Sequence, residues 1–151
     1  VESKQTRVEM TALAVQEEAY FYLSTMEIEH SGNTYTYETL ERLKQENQDT
    51  EYYFILGADN LFQITKWEKP ERIFANCRLL AAVRDDKTVA DMVKQIEYLE
   101  QTYHAVIFLL KINYMDISSS KIRQKVAEGI SIEADVPASV KAYIEEKGLY
   151  L

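Results

Sequence analysis

Apolar residues along the chain gather into short runs that predict β-strands. The run from Tyr52 to Leu56 is continuously apolar, which is typical of a strand buried on both faces. Leu79 to Val83 predicts a second buried strand, and Ala105 to Leu110 predicts a third, whose direction the pattern leaves open. Tyr20 to Ile28 is rich in aromatic and branched residues in loose alternation, and it also predicts a strand.

The segments between these runs space their apolar residues as helices do. The predicted helices are residues 3–18, residues 37–45 with Thr36 as the cap, a stretch from Asn60, a stretch from about Pro70, residues 88–103, residues 118–128 ending at Gly129, and residues 138–147 ending at Gly148. Strands that alternate with helices predict an α/β fold with a largely parallel sheet. With no repeat and no linker-like segment, we expect one domain over residues 1–151.

Composition and charge narrow the class of protein. The 151 residues are 46% hydrophobic and 28% charged, which is a globular balance. A net charge of −8, with lysine and arginine scattered among more numerous acids, argues against a nucleic-acid partner but not against a small anion. No stretch is long enough to cross a membrane and none resembles a signal peptide, so we expect a cytoplasmic protein with no membrane contact.

Cys77 is the single cysteine, which excludes an intrachain disulfide and a cysteine-cluster zinc site within this chain. It precedes an apolar run, and we interpret it as a buried thiol. His30 and His104 have neither metal-ligand nor triad spacing. No Walker loop, nucleophile elbow or Gly-rich dinucleotide motif is present in the sequence.

Ligands of a parallel sheet bind beyond the carboxyl ends of its strands, so the residues that follow each strand are candidates for a site. Asp59 follows the first buried strand and is suited either to receive a hydroxyl group or to cap the next helix. Arg84 follows the second and is suited either to clamp a phosphate or to pair with Asp85 and Asp86.

Two further segments have the chemistry of a nucleotide site. Trp67, the sole tryptophan, lies in a polar stretch, where it can stack on a flat ring or pack on the core as a lid. Ser118, Ser119 and Ser120 open a helix that also carries Lys121 and Arg123. Hydroxyls and cations at a helix N-terminus suit a phosphate chain, although serine is also the ordinary capping residue.

The order and spacing of these segments resemble one family, the bacterial nicotinate-nucleotide adenylyltransferases. The matching segments are Asn33 to Leu40 with the family's "SYT..TL", Phe54 to Asp59 with "FIIGAD", Lys66-Trp67 with "KW", Asp116 to Arg123 with "(V/I)SSTxIR", and Val136 to Tyr150 with "VPxxVxxYIxxxGLY". The matches extend over nearly the whole chain and follow one another in the family's order.

The resemblance implies a Rossmann-like nucleotidylyltransferase fold and the transfer of AMP from ATP, with Mg²⁺, to nicotinate mononucleotide. The products would be deamido-NAD and pyrophosphate, so that the protein would serve NAD biosynthesis. The related alternatives are adenylation of nicotinamide mononucleotide or of phosphopantetheine. A non-catalytic, nucleotide-binding remnant is an alternative of another class, and the sequence leaves open whether the chain forms a homo-oligomer.

The family's residue roles carry over where the residues match. Thr36 would meet the nicotinate carboxylate through its backbone, Trp67 would stack on the pyridine ring, and Glu68 would add a backbone contact. Asp59 would touch sugar or loop groups, and Arg84 would approach the mononucleotide phosphate. The residues implied for the ATP phosphates are Ser118, Ser119 and Arg123.

The sequence departs from the family at its start. The family opens with a "GGTFDPxHxGH" segment whose two histidines stabilise the transferring phosphates, and these 151 residues do not contain it. Arg7 to Met10 instead matches the "RxEML" helix that follows that segment, and His30 has no His-x-Gly-His context. We therefore expect an N-terminally incomplete chain that lacks the first strand or strands, and we assign it no catalytic residue.

Overall fold

A three-stranded parallel sheet lies at the centre of the middle part of the chain. The computed structural model describes residues 2–29, 32–83, 89–113 and 116–151. Strand β1 is Tyr53–Gly57, β2 is Arg78–Val83 and β3 is Ile107–Lys111, with β2 between the other two. In the register, Leu56 aligns with Ala81 and Ala81 with Leu109. All pairs are parallel, including β3, so the predicted α/β architecture with a parallel sheet is confirmed.

Helices occupy most of the remaining described chain. In order they are α1 Lys4–Val15, α2 Met26–Glu29, α3 Thr36–Glu46, α4 Ala58–Gln63, α5 Pro70–Asn76, α6 Val89–Tyr103, α7 Ser119–Ala127 and α8 Ala138–Lys147, with a single 3₁₀ turn at Ile64–Lys66. Pro70 is the first residue of α5, where its fixed φ and missing N–H are tolerated. Gly148 ends α8 in the left-handed conformation, as predicted. No described helix is long and apolar enough to span a bilayer.

The chain divides into two compact units, one made of residues 32–115 and the other of residues 1–31 with 116–151. In the unit of residues 32–115, alternate residues of the strands form the core with α3 to α6. The fully buried side chains there include Leu61, Ile73, Leu79, Met92 and Leu99. The prediction of a single domain stays a prediction.

The unit of residues 1–31 and 116–151 is helical. Ile132, Val140 and Ile144 are buried, and α1 contributes Met10 and Leu13 to the same cluster. The Ser139 hydroxyl donates to the Leu13 carbonyl at 3.2 Å, which ties α8 to α1. Residues more than a hundred positions apart in sequence therefore share this small core.

The prediction that β1 is buried on both faces was wrong. The side chains of Tyr53 and Ile55 are 47% and 64% exposed, whereas Leu56 is buried. Their face of the sheet continues through Phe108 and Leu110 of β3, which are also exposed. The described helices of this unit pack against the opposite face of the sheet. There they form one core with Leu56, Leu79 and Ile107.

Two local predictions also were wrong. Tyr20 to Ile28 is not a strand: residues 20–25 are irregular and exposed at the aromatic positions, and α2 begins at Met26. No described strand lies beside this segment, and strand propensity needs a neighbouring strand to be realised. Thr36 is the first residue of α3 and not its cap. Tyr35 takes the cap position, and its N–H donates to Glu38 Oε2 at 3.4 Å.

Candidate functional site

The unit of residues 32–115 contains a cavity of about 250 Å³, here called the Trp67 cavity. It is lined by Thr34, Tyr35, Thr36, Trp67, Glu68 and Ile73. Thr36, Trp67 and Glu68, which the sequence assigned to one ligand, are therefore brought together.

The start of α3 gives one wall of the Trp67 cavity its polarity. Thr36 is the first helical residue, so its backbone N–H has no partner within the helix. The helix dipole adds partial positive charge at this end, and the 11 residues of α3 are enough to develop it. A carboxylate entering the cavity on this side would meet a donor and a favourable field.

Trp67 forms another part of the cavity wall. It follows the 3₁₀ turn, and its N–H donates to the Ile64 carbonyl at 3.1 Å. The indole ring packs edge-on against Phe54 of β1, with centroids 6.2 Å apart and planes at 67°. Trp67 is half-buried. It thus packs on the core at one edge and also lines the cavity, so the two interpretations of this residue are compatible.

Asp59 is not part of this cavity, and the structure does not describe Arg84. Asp59 lies in the first turn of α4, is exposed, and does not line the Trp67 cavity. The N-cap of α4 is Gly57, so Asp59 does not cap that helix. Arg84, with Asp85 and Asp86, lies outside the described residues, as does His30.

The other unit contains a larger cavity, of about 380 Å³, here called the α7 cavity. Its lining residues are Arg7, Met10, Thr11, Ala14, Ser119, Ile122, Arg123, Val136, Pro137, Val140, Ile144 and Tyr150. No acidic residue is among them, in a chain of net charge −8. The combination of an apolar floor and two guanidinium groups suits a ligand that carries both a ring and an anionic group.

The three serines at the start of α7 have different roles. Ser118 is the N-cap, and its hydroxyl accepts the Lys121 N–H at 3.3 Å. Ser119 lines the α7 cavity, and Arg123, one turn later, lines it as well. The Arg123 Nη2 donates to the Ser120 hydroxyl at 3.4 Å. Capping therefore accounts for Ser118, while Ser119 and Arg123 line the cavity.

Arg7 and Tyr150 also line the α7 cavity, although neither was predicted to contact a ligand. Arg7 was noted only as part of the "RxEML" match, and Tyr150 only as part of the closing motif. Burial raises the pKa of the Tyr150 hydroxyl, as does the charge of Glu2, while the nearby cations Arg123 and Arg7 oppose the shift. Helical periodicity predicts α1 and α8, but it does not show that residues near positions 7 and 150 share a cavity.

The described titratable groups outside the two cavities form no cluster of metal ligands. Among the described residues, no three histidine, cysteine, aspartate or glutamate side chains lie close enough to hold an ion. His104 is exposed and directly follows α6 with a φ of 54°. Cys77 is buried, as predicted, and burial raises the pKa of its thiol to about 11. That shift makes Cys77 a poor nucleophile at neutral pH.

Known proteins match both the sequence and the fold. Residues 1–125 match the cytidylyltransferase-like family. A probable nicotinate-nucleotide adenylyltransferase of Lachnoclostridium phytofermentans is 40% identical over 148 residues, which are 98% of this chain and 74% of the relative. A protein of the same name from Dehalococcoides mccartyi is 40% identical over 147 residues, covering 97% of this chain and 72% of the relative.

Structural comparison agrees at the level of the fold. The nicotinic acid mononucleotide adenylyltransferase of Plasmodium falciparum, complexed with APC, superposes with a TM-score of 0.75 at 20% identity. The superposition covers 99% of this chain and 77% of the other. The Rossmann-like nucleotidylyltransferase fold is confirmed, whereas the missing N-terminal segment stays a prediction. By sequence identity over nearly its whole length, the chain belongs to the nicotinate-nucleotide adenylyltransferases, within the cytidylyltransferase-like family.

Proposed function

We propose that this protein transfers AMP from ATP to nicotinate mononucleotide, giving deamido-NAD and pyrophosphate. The observation that carries the proposal is the Trp67 cavity, in which an indole ring and the N-terminus of α3 line one space in a chain of this family. A flat aromatic ring and a carboxylate are the two features that distinguish nicotinate from most other small ligands.

In this proposal the Trp67 cavity binds the pyridine end of nicotinate mononucleotide. The indole of Trp67 stacks on the pyridine ring, an arrangement that its packing against Phe54 holds in place. The Thr36 backbone N–H donates to the carboxylate, and the backbone of Glu68 adds a contact at the rim. Contacts of Asp59 with the sugar and of Arg84 with the mononucleotide phosphate complete the proposed set.

In this proposal the α7 cavity binds ATP. Ser119 and the first-turn N–H groups of α7 hold phosphate oxygens, together with Ser118 at the cap, and the Arg123 guanidinium neutralises their charge. The apolar floor of this cavity also leaves room for part of the adenosine. The absence of acids from its lining favours a polyanion there despite the negative charge of the whole chain.

The reaction needs positioning and charge neutralisation more than a nucleophilic side chain. An oxygen of the mononucleotide phosphate attacks the α-phosphorus of ATP in line, the new P–O bond forms, and the bond to the bridging β-phosphate oxygen breaks to release pyrophosphate. We propose that Mg²⁺ enters as the counter-ion of ATP, since triphosphate oxygens and water are the ligands that it prefers.

The test is a double dissociation between two variants of this chain. Trp67→Ala should raise the KM, or the Kd, for nicotinate mononucleotide about tenfold and leave ATP almost unchanged, because stacking is lost. Arg123→Ala should weaken ATP by about tenfold to a hundredfold and leave the mononucleotide almost unchanged, because charge-assisted hydrogen bonds are lost. Pyrophosphate release and calorimetric binding would measure both effects.

Arg42→Ala is the matched control, since Arg42 is exposed and pairs only with Glu46 at 3.3 Å among the described residues. It should change neither ligand. Equal losses for both ligands in Trp67→Ala would remove stacking from the proposal. Binding or turnover of only nicotinamide mononucleotide or only phosphopantetheine would overturn the proposed substrate.

A further inference from the structure

Tyr37 is a buried aromatic residue next to the Trp67 cavity whose ring is contacted on several sides. Its side chain is 6% exposed although it stands in the first turn of a surface helix. The ring of Tyr35 stacks on it at 6.0 Å and 17°. The Arg72 guanidinium lies 4.5 Å from its centroid, and the Lys69 ammonium lies 4.9 Å from it. Two cations and one ring therefore pack on one phenol.

The Tyr37 hydroxyl is also held. It donates to Glu38 Oε1 at 2.9 Å and accepts from Lys69 Nζ at 3.4 Å. Arg72 also forms an ion pair with Glu41 of α3. Each cation near the ring thus makes a second contact: Lys69 with the Tyr37 hydroxyl, and Arg72 with Glu41. These contacts restrict the arrangement of the cluster.

This cluster connects the two walls of the Trp67 cavity. Tyr37 directly follows the wall formed by residues 34–36, and Lys69 directly follows the wall formed by Trp67 and Glu68. The contacts of Tyr37 with Lys69 and Arg72 therefore join the two segments that line the cavity.

The backbone at Lys69 supports the same conclusion. Lys69 has φ 48° and ψ 59°, a left-handed conformation that is unfavourable for a residue with a side chain. Pro70 follows it and fixes the start of α5. Strained residues persist where the surroundings determine them, and the interactions of the Lys69 ammonium with Tyr37 are such a determinant.

We propose that Tyr37 is a positioning residue for the pyridine subsite: it holds the α3 wall and the Trp67 wall at the separation that a flat ring requires. The inference rests on the proposed function for the identity of the ligand. A preformed cavity binds its ligand more tightly because the walls need not be ordered on binding. Tyr37 acts through Tyr35, Thr36 and Trp67, and it does not itself line the cavity.

The experiment uses Trp67 as its own reporter, since it is the only tryptophan in the chain. Tyr37→Leu removes the ring and the hydroxyl, and Tyr37→Phe removes only the hydroxyl. We expect the Kd for nicotinate mononucleotide, measured by quenching of Trp67 fluorescence, to rise about tenfold in Tyr37→Leu and about two- to threefold in Tyr37→Phe. The calorimetric Kd for ATP should stay within twofold.

A second measurement needs no ligand. Acrylamide should quench Trp67 fluorescence more efficiently in Tyr37→Leu than in the unaltered chain, because the wall formed by residues 34–36 is then no longer held in place by Tyr37. Tyr52→Leu is the matched control: Tyr52 is half-buried in the same core, its hydroxyl donates to the Leu43 carbonyl at 3.0 Å, and it does not line the cavity. It should lower the unfolding midpoint without changing either Trp67 measurement.

An unchanged mononucleotide Kd in Tyr37→Leu would overturn the proposal, and so would equal losses for mononucleotide and ATP. If Tyr37→Leu fails to fold, Tyr37→Phe and Lys69→Met carry the test, each with an expected rise of two- to threefold in the mononucleotide Kd, and wild-type values in both would be decisive against it. If the unaltered chain does not bind nicotinate mononucleotide, the proposed function fails. The acrylamide comparison would then still decide whether Tyr37 positions the Trp67 wall.

Discussion

Burial determines the chemistry of Cys77. Cys77 is the C-cap of α5. Its thiol donates to the Ile73 carbonyl at 3.4 Å, and burial raises the pKa of that thiol to about 11. At pH 8 its thiolate fraction is on the order of a hundredfold lower than that of an ordinary cysteine. We therefore expect Ellman's reagent to label the native chain at least a hundredfold more slowly than the chain unfolded in guanidinium.

The unfolded chain serves as the internal control, because the same single thiol is then free in water. Labelling of the native protein should accelerate only when denaturant opens the unit of residues 32–115. If the native chain is labelled at the rate of the unfolded chain, Cys77 is not buried and the pKa of its thiol is not raised.

At the residue scale, the sequence predicted chemistry better than location. The family resemblance assigned one ligand to Trp67, Thr36 and Glu68, so these residues could be grouped before the structure was known. All three line one cavity in the structure. Tyr37 could not be recognised, because its importance depends on Lys69 and Arg72, which lie more than 30 positions away. A single sequence shows which side chains can interact with an aromatic ring, but it does not show which of them do.

At the scale of elements, the end of α8 shows how one glycine terminates a helix. Gly148 has φ 58° and ψ 39°, its N–H donates to the Glu145 carbonyl at 3.2 Å, and the Leu149 N–H donates to the Ile144 carbonyl at 3.0 Å. A Cβ at Gly148 would meet only Leu151 Cδ1, at an ordinary 3.6 Å. The cost of a side chain there is therefore conformational and not steric.

Gly148→Ala should lower the free energy of unfolding by about 1 kcal/mol, measured by urea denaturation. Gly148→Asn should lower it by less, since asparagine tolerates the left-handed region better than alanine does. Equal stability of the alanine variant and the unaltered chain would mean that Gly148 does not need its positive φ.

Helices were predicted more accurately than strands, and the reason is physical. A helix satisfies its backbone within one segment, so the caps and periodicity of α5 and α8 are sufficient to place them. A strand needs a neighbour, which Tyr20 to Ile28 lacks among the described residues. The exposure of Ile55 has a similar origin, since an apolar run does not reveal whether one or both of its faces are covered.

At the scale of the whole molecule, the two ends of the chain share one small unit. Glu9 of α1 accepts a hydrogen bond from the Tyr143 hydroxyl of α8 at 2.5 Å, across 134 positions of sequence. The hydrogen bond from Tyr143 holds the pKa of the Glu9 carboxyl below its usual range, and that from Gln5 acts in the same direction. The same bond raises the pKa of Tyr143.

Because the pKa of Glu9 is lower in the folded chain than in the unfolded chain, this contact stabilises the fold above the unfolded pKa. The contribution is lost as the pH falls through the lowered value. We therefore expect Tyr143→Phe to be less stable than the unaltered chain at pH 7, with a difference in unfolding free energy that shrinks as the pH is lowered toward 3. Urea denaturation at a series of pH values measures it.

Tyr52→Phe provides the comparison, because the Tyr52 hydroxyl donates to the Leu43 carbonyl, which does not titrate. Its effect on stability should therefore be nearly constant from pH 7 to pH 3. If the effect of Tyr143→Phe is equally constant, the bond to Glu9 does not depend on the ionised carboxylate. A pH-dependent difference confined to Tyr143→Phe would instead show that an ionised Glu9, in the segment matching "RxEML", helps to hold α1 against α8 beside the α7 cavity.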